Sequence, residues 1–279
     1  MVRDITLTSA MRANLLSLKN TAELLSRTQE RLSTGKKVNS PLDNAVNYFA
    51  AWSHTSRADD LTARKDNMSE AIQTVKAAND GIQTITTLIE TAKGIAQAAL
   101  ATGDLTQRAL YVTQYNAILD QVDQLSSDTG YRGTNLLAGG TLTVQFNEDG
   151  SSSLDIQGFA ATAAGLNIGL VGVAGGVTDW ADPTNGMAAI NTSLSQLTAA
   201  GDTLRVRSSS LSSSLAIVQA RADWADQMIA TLQAGAGALT DADMNEEGAN
   251  MLMLQTRQSL GTTALSLSAE SAQSVLKLF

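Results

Sequence analysis

Few residues in this sequence could support enzymatic chemistry. His54 is the single histidine and no cysteine is present, so disulfide pairing, cysteine zinc sites and thiol chemistry are excluded. A Ser-His triad would have His54 as its one possible base, but no nucleophile or second ligand lies at helical spacing from it. His54 is therefore interpreted as a surface or packing residue. No catalytic residue is predicted, and the chain is not expected to be an enzyme.

Three further patterns could bind a ligand, and each departs from the motif it would need. Gly35-Lys36 resembles the end of a phosphate-binding loop, but Lys37 stands where Ser or Thr is required. The glycines at 165–176 lack the GxGxxG spacing of a dinucleotide site. The acidic residues at 241–247 lack the glycine and spacing of an EF-hand, and are read as acids near a helix N-terminus. No cofactor or metal is predicted.

Composition favours long helices. The 279 residues are 43% hydrophobic, which is enough for a sizeable core, while aromatic residues make up 4% and prolines number 2. The net charge of -8 argues against nucleic-acid binding, because contacts to phosphates need a basic surface. Residues 1–9 contain no apolar core of a signal peptide, and no run of about 18 apolar residues occurs. We expect no membrane insertion and no cleaved signal peptide.

The first helix is predicted at about residues 5–33. Met11, Leu18, Leu25 and Leu32 recur every seven residues, which is typical of a coiled-coil seam, and Leu15 and Ala22 are expected between them. Ser40-Pro41-Leu42-Asp43 predicts the start of a second helix, which runs to about Thr102 and is about 90 Å long.

The remaining pattern predicts a third helix at about 104–127, a β-hairpin of 141–146 with 154–157, and a glycine-rich loop to 176. A long helix is expected at about 184–233. Ala234-Gly235-Ala236-Gly237 is read as its interruption, and Thr240-x-x-Asp243 as the start of the last helix. The predicted fold class is mainly α, with elongated antiparallel helical rods, a terminal coiled coil and a small hairpin.

The two chain ends are expected to lie together and to bind other copies. Residues 1–40 carry seven Lys and Arg against three acids, whereas residues 241–279 carry five acids against two basic residues. From Leu260 to Leu278 the last helix is apolar on more than one face, so one partner helix cannot bury it. We expect these ends to be disordered in the monomer and ordered in an assembly.

Three segments of the chain resemble bacterial flagellin. The run from Arg31 to Ala45, with the sequence RLSTGKKVNSPLDNA, is similar to the N-terminal flagellin signature. The segment YRGTNLL at 131–137 is similar to the element that leads into the flagellin hairpin, and SVLKLF at 274–279 is similar to the flagellin C-terminus. The resemblance covers about residues 1–145 and 180–279.

This resemblance implies a structural subunit that polymerises into the extracellular flagellar filament for swimming motility. It implies a D0 coiled coil of residues 1–39 with 235–279, a D1 bundle of 40–140 with 177–234, and a D1 hairpin and loop at 141–176, with no sizeable D2 or D3. The expected partners are further copies, sibling flagellins, the flagellar type III export apparatus, an export chaperone, the filament cap and the hook-junction proteins.

Two groups of residues are assigned roles on this basis. The expected polymerisation core comprises Met11, Leu15, Leu18, Leu25, Leu32, Met253, Leu260, Leu267, Leu276 and Leu278. The expected joint between D0 and D1 comprises Gly35, Asn39, Pro41, Gly235 and Gly237.

A third group concerns innate immune recognition, which in flagellins uses an arginine and a glutamate in the second helix. The corresponding stretch here reads Glu90, Thr91, Ala92, Lys93, Gly94 and Ile95. Thr91 replaces the arginine and Gly94 the glutamate, which removes a guanidinium fork and an acceptor. Weak recognition by Toll-like receptor 5 is predicted.

Two other readings of the helical pattern stay open at this point. A hook-filament junction protein has the same end helices, although the compact middle and the C-terminal sequence favour flagellin. A helical signalling or binding module would also show heptads, but would not need oppositely charged ends with an apolar terminus.

Overall fold

The computed structural model describes residues 9–173 and 176–276, and these residues are mainly helical. The elements follow in the order α1 (Ser9–Thr34), α2 (Ala45–Ala101), α3 (Leu105–Asp128), β1 (Thr141–Gln145), β2 (Ser153–Gln157), α4 (Gly186–Thr240) and α5 (Met244–Leu276). The predicted fold class, mainly α with a small hairpin, is confirmed.

The chain divides into two compact units. The terminal unit takes in the described residues up to Ser56 and from Thr231 onward, and the bundle unit comprises Arg57–Ala230. Because α2 and α4 are long, each contributes residues to both units.

The core of the bundle unit is built from heptad rows on its two long helices. On α2 the buried rows are Leu61, Met68, Val75, Ile82, Ile89 and Ala96, with Ala71, Ala78, Ile85, Ala92 and Ala99 between them. On α4 the buried row is Ile190, Leu197, Leu204, Leu211, Val218 and Ala225. A repeat of seven keeps each row on one side of its helix, so the two helices can share one core along this length.

The α3 helix completes this core and is fixed at its N-terminal end. Asp104 caps its N-terminus by accepting a hydrogen bond from the Thr106 backbone N–H at 2.8 Å. Arg108 is buried and donates to the backbone oxygens of Ala99, in the last turn of α2, and of Thr102, which directly follows that helix. The turn between α2 and α3 is therefore held by a side chain as well as by its backbone.

A buried aromatic pair lies between α3 and the segment before α4. The rings of Tyr115 and Trp180 are 4.8 Å apart between centroids, and Trp180 Nε1 donates to Ser193 Oγ at 3.3 Å. Burial raises the pKa of the Tyr115 hydroxyl to about 12, and the neighbouring Ser193 hydroxyl offsets part of that shift.

The predicted hairpin is present as an antiparallel pair of strands. Thr141 faces Gln157 and Gln145 faces Ser153, so Val144 and Ile156 turn inward and are buried with the helices. Gly150 has a φ of +73°, a conformation that glycine adopts without strain, and it lies in the turn. The buried residues of the hairpin belong to the same core as the heptad rows, so the hairpin adds no separate core.

The predicted start of α2 at Ser40-Pro41 is wrong by several residues. The Asp43 carboxylate folds back and accepts hydrogen bonds from the backbone N–H groups of Asn39 and Ser40, at 3.1 and 3.0 Å. These contacts close a turn, and α2 begins at Ala45 with Asn44 as the cap, whose side-chain oxygen accepts from the Asn47 N–H at 3.0 Å. Both backbone bonds lower the pKa of Asp43.

The predicted interruption at Ala234–Gly237 is also wrong. The α4 helix continues through Gly235 and Gly237 to Thr240, and the break falls at residues 241–243. Leu232 and Ala236 remain buried, so packing outweighs the weak helix preference of the two glycines. The last helix is capped by Asp243, whose side chain accepts from the Asn245 N–H at 2.9 Å, and not by Thr240.

Candidate assembly surfaces of the terminal unit

The α1 and α5 helices pack against each other along a narrow seam. Met11 on α1 and Leu254 on α5 are buried, and Leu18, Leu25 and Leu32 are half-buried. At Gly261 the helices approach so closely that an added Cβ would lie 2.7 Å from Leu18 Cδ1. The predicted heptad therefore does place Met11 and the three leucines in one row.

The intervening row of this seam differs from the prediction. Leu15 is about half exposed and Ala22 is exposed, whereas Thr21 is half-buried and Thr28 is buried. An apolar repeat of seven does not decide whether the second row lies three or four residues further on, and here it lies three further on. The seam has a polar second row, and Leu15 is left uncovered.

Apolar residues of both terminal helices remain exposed outside the seam. Leu260 and Leu267 each keep 65% of their surface accessible, and Met253 is also exposed. These three residues recur every seven residues on α5 and so form one ridge, the C-terminal ridge. Of the other expected core residues, Leu276 is the last residue of α5, with no described side chain, and Leu278 lies outside the described residues.

Two short segments of the terminal unit connect its helices: residues 35–44 between α1 and α2, the link after α1, and residues 241–243 between α4 and α5, the link before α5. Backbone hydrogen bonds join these two links. Lys37 N donates to Thr240 O at 2.7 Å and Ala242 N donates to Gly35 O at 2.9 Å, which gives a short antiparallel bridge. Gly35 has a φ of +70°, a left-handed conformation that favours glycine, and it ends α1. The link after α1 is thereby tied to the link before α5.

The residues expected to form the joint are distributed over these links and α4. Gly35 and Asn39 lie in the link after α1, where Asn39 Nδ2 donates to Thr34 Oγ1 at 3.0 Å, and Pro41 is exposed in the following turn. Gly235 and Gly237 lie inside α4 and are not a break in the chain. At Gly237 an added Cβ would lie 2.5 Å from Asp241 Oδ2, so glycine makes room for the end of the helix.

An ion pair connects the oppositely charged ends. Arg31 Nη1 on α1 lies 2.8 Å from Glu247 Oε1 on α5, and the Glu247 side chain is almost completely buried. A buried carboxylate needs such a partner, because its charge is otherwise poorly solvated. The contact fixes the register of the two helices at one end of the seam.

The side chains that could hold a metal ion in residues 9–173 and 176–276, which the structure describes, are those of His, Asp and Glu. No group of three His, Asp or Glu side chains in that part of the chain is placed to hold a metal ion. The acidic residues at 241–247 serve as a helix cap and an ion-pair partner. His54 is half-buried and covers Gly235, where an added Cβ would lie 3.8 Å from His54 Cδ2. Among the described helices, none has the length and apolar character needed to cross a membrane.

Comparison with known proteins identifies the family. The model of the bacterial flagellin N-terminal helical region matches residues 5–141, and the model of the C-terminal helical region matches residues 187–279. The chain belongs to the bacterial flagellin family. It is 31% identical to flagellin FljO of Caulobacter vibrioides, over 95% of this chain and 94% of that protein. It is 29% identical to a flagellin of Brucella melitensis, over 100% and 99% of the two chains.

A solved structure of Bacillus cereus flagellin is also similar, with a TM-score of 0.47 and 16% identity over 57% of this chain and 88% of that one. As a flagellin, the chain is a structural subunit of the extracellular flagellar filament and not an enzyme. No finding favours the hook-filament junction protein. The full-length match to the Brucella flagellin is consistent with a short flagellin that lacks an outer domain.

The flagellin stretch expected to bind the immune receptor lies on α2 of the bundle unit. Glu90, Thr91 and Gly94 are exposed, whereas Lys93 and Ile95 are half-buried. An added Cβ at Gly94 would meet no atom within 4 Å.

Sequence patterns do not predict one further surface, an aromatic patch at the start of α2, although the lack of charged residues there is visible in the sequence.

Proposed function

We propose that this flagellin polymerises chiefly through its terminal helices. The observation that carries the proposal is the C-terminal ridge of Met253, Leu260 and Leu267, which α1 leaves uncovered. Residues 258–269 of α5 contain no charged side chain. Exposed leucines on an uncharged helix are unfavourable in water, so contact with neighbouring copies would stabilise them at about 25 cal/mol per Å² buried.

The proposed polymerisation core combines two kinds of residue. Met11, Leu18, Leu25 and Leu32 hold α1 to α5 within one copy, while Leu15 and the C-terminal ridge face outward to other copies. Leu276 and Leu278 extend the core toward the chain end. This role agrees with the expectation, still a prediction, that the ends become ordered only on assembly.

The domains are proposed to follow the flagellin plan. Residues 1–39 with 235–279 are assigned to D0, residues 40–140 with 177–234 to D1, and residues 141–176 to the D1 hairpin and loop. The link residues Gly35, Asn39 and Pro41, with Gly235 and Gly237 of α4, are assigned to the D0–D1 joint. Support for the joint comes from the backbone hydrogen bonds between the two links, which join Lys37 to Thr240 and Ala242 to Gly35.

The other proposed partners and the proposed route of export follow from the resemblance to flagellins. The subunit would be exported unfolded by the flagellar type III apparatus without a cleaved signal peptide, after binding a chaperone through its C-terminal helix. It would be added beneath the filament cap, beyond the hook-junction proteins, and sibling flagellins could share the filament. The uncharged ridge of α5 is a suitable surface for such a chaperone before assembly.

Electron microscopy after salt-induced polymerisation tests the central role of the ends. Filaments are expected from the full chain, and none from a chain that lacks residues 260–279. A point variant, Leu260→Ser with Leu267→Ser, should raise the concentration needed for polymerisation. Leu110→Ser replaces an exposed leucine of the bundle unit and serves as the matched control. Normal filaments from the truncated chain would contradict the proposal.

A further inference from the structure

An exposed apolar patch lies at the start of α2 in the terminal unit, away from the C-terminal ridge in sequence. Val46, Phe49 and Trp52 follow one another at intervals of three residues, which places them on one side of the first two turns. Leu42 lies in the turn just before them. Their exposed fractions are 79%, 57% and 63%, and that of Leu42 is 97%. We name these four residues the aromatic stripe.

The aromatic stripe is large for a surface that stays in water. Aromatic side chains such as Phe49 and Trp52 each present about 150–250 Å² and the aliphatic Leu42 and Val46 present less, so at their exposed fractions the four residues together expose an area on the order of 500 Å². The largest apolar patch on a typical monomer is about 300–600 Å² and is often functional. The stripe is therefore comparable to a binding surface and larger than scattered single exposed residues.

The first turns of α2, which carry Val46, Phe49 and Trp52, also lack charge. Residues 44–56 contain no Asp, Glu, Lys or Arg, whereas charged residues are frequent on α2 from Arg57 onward. On α4, residues 227–240 are likewise without charge. A helix face that stays solvated normally carries charged side chains, so these two helix stretches have the composition of a buried interface.

A groove of about 460 Å³ lies beside the stripe and belongs to the same unit. Tyr48 and Trp52 of α2 line one side, and Ala236 and Gly237 of α4 line the other, where small residues leave room for an incoming side chain. Tyr48 also packs edge-on against Phe49, with 5.5 Å between the ring centroids. Lys36 and Asp241 also line the groove, which shares Trp52 with the stripe, so the groove and the stripe form one surface that is mainly apolar and carries charge in the groove.

We propose that the aromatic stripe and its groove are a second contact surface between copies, occupied by another copy of this chain in the filament. Self-association is the activity of this family, so the neighbours of each subunit in a filament are other copies. Each copy also carries exposed leucines of matching character on its terminal helices. This inference rests on the assembly role proposed above and adds a surface that the terminal leucines do not supply.

The stripe and the C-terminal ridge have separable roles. The ridge lies on α5, and the stripe lies at the start of α2. A chain that lacks residues 260–279 therefore still contains every residue of the stripe. Phe49 and Trp52 are the two aromatic residues of the stripe, and buried aromatic residues contribute a large share of the binding energy of interfaces. Assembly is therefore expected to need both surfaces.

Cysteine labelling tests the proposal directly, because the sequence contains no cysteine that would react in the background. In the Val46→Cys variant the introduced thiol should react rapidly with a maleimide in the monomer and at least about tenfold more slowly in filaments. Ser151→Cys, an exposed position in the hairpin turn, is the matched control and should react equally in both states. Equal reactivity of the Val46→Cys thiol in monomers and filaments would overturn the inference while leaving the role of the terminal helices intact.

Substitution gives an independent readout. Phe49→Ser and Trp52→Ser should each raise the critical concentration for polymerisation by about tenfold. Trp52→Phe keeps an aromatic ring and should polymerise at nearly the wild-type concentration. Val206→Ser, at another exposed valine, is the control and should have no effect. Circular dichroism of the monomers checks that the helices are retained. Polymerisation of the Phe49→Ser and Trp52→Ser variants at the wild-type concentration would overturn the inference. It would also be overturned if these substitutions abolished binding of the monomer to phosphatidylglycerol vesicles and left assembly unchanged.

Discussion

Arg31 on α1 and Glu247 on α5 form an ion pair of 2.8 Å in which the glutamate side chain is only 8% exposed. The two residues are 216 positions apart in the sequence, so the contact joins the first helix of the chain to the last. Burial makes each partner dependent on the other, because a carboxylate that loses its cation inside the seam is left poorly solvated. The pair therefore specifies how the two terminal helices align.

Arg31→Met is expected to destabilise the filament by about 1–3 kcal/mol per subunit, since it leaves Glu247 buried without its partner. Thermal dissociation of filaments, followed by light scattering, measures the effect. Adding Glu247→Gln to Arg31→Met should recover part of the loss, because the orphaned charge is removed. Lys19→Met breaks the exposed pair of Lys19 with Glu23 and is expected to change stability by less than about 0.5 kcal/mol. Similar effects of the two single variants would argue against a role for burial.

Two glycines of α2 are predicted to respond in opposite directions to alanine. At Gly81 an added Cβ would lie 2.7 Å from Thr129 Cγ2 and 2.8 Å from Leu137 Cδ1, whereas at Gly94 it would meet nothing within 4 Å. Gly81→Ala should therefore destabilise the bundle unit by about 1–3 kcal/mol through overpacking. Gly94→Ala should stabilise it by up to about 1 kcal/mol, because alanine is the better helix former. Urea unfolding of the monomer measures both, and stabilisation by Gly81→Ala would contradict the packing described here.

The periodic features of this fold could be predicted from the sequence, and the helix ends could be predicted only in part. Heptads and alternating strand residues depend on local spacing, so these patterns predict the long helices and the hairpin that the structure contains. The ends depend on contacts between distant residues. The α4 helix passes through Gly235 and Gly237 because Leu232 and Ala236 are buried, and residues 241–243 form the break, next to the link after α1.

The candidate assembly surface was predictable to a similar extent. The apolar character of α5 could be seen in its sequence, but which leucines face α1 and which face outward depends on the register of the seam. Thr28 is buried and Leu15 is about half exposed, an outcome that the heptad pattern does not specify. The sequence pattern does not predict the aromatic stripe, because apolar residues in an amphipathic helix are ordinarily assigned to the core.

The Glu70 carboxylate should make the stability of the bundle unit depend on pH. A hydrogen bond from Arg132 and a second from Tyr131 lower the pKa of Glu70 from its ordinary value of 4.5. Because the folded-state pKa is the lower one, the stabilisation is fully present above the ordinary pKa of 4.5 and is lost as the pH falls through the folded value.

Glu70→Gln should therefore lower the urea midpoint of the monomer at about pH 7 and leave it close to wild type at about pH 2. The comparison at each pH is between variant and wild type, so the titration of other acids cancels. Glu90→Gln, at an exposed position on the same helix, is the control and should have no effect at either pH. A difference for Glu70→Gln that persists at about pH 2 would show that its role is not electrostatic.

Recognition by Toll-like receptor 5 is predicted to be weak and to be restorable by two substitutions. Thr91 and Gly94 are exposed on α2, and Gly94 has free space around its Cβ position, so Thr91→Arg with Gly94→Glu should leave the fold unchanged. The pair adds a guanidinium fork and a carboxylate to the stretch. Receptor signalling in reporter cells should rise by about tenfold, which corresponds to about 1.4 kcal/mol of added contact energy.

The matched control places the same charges elsewhere on the bundle unit. Ser195→Arg with Thr198→Glu has the same spacing on an exposed face of α4 and should not change the signal. Monomers are used throughout, because assembly through the terminal helices could cover the surface under test. Full receptor potency of the unmodified chain would show that Thr91 and Gly94 do not weaken recognition. An equal rise in signal for the control variant would show that added charge anywhere on the bundle unit has the same effect.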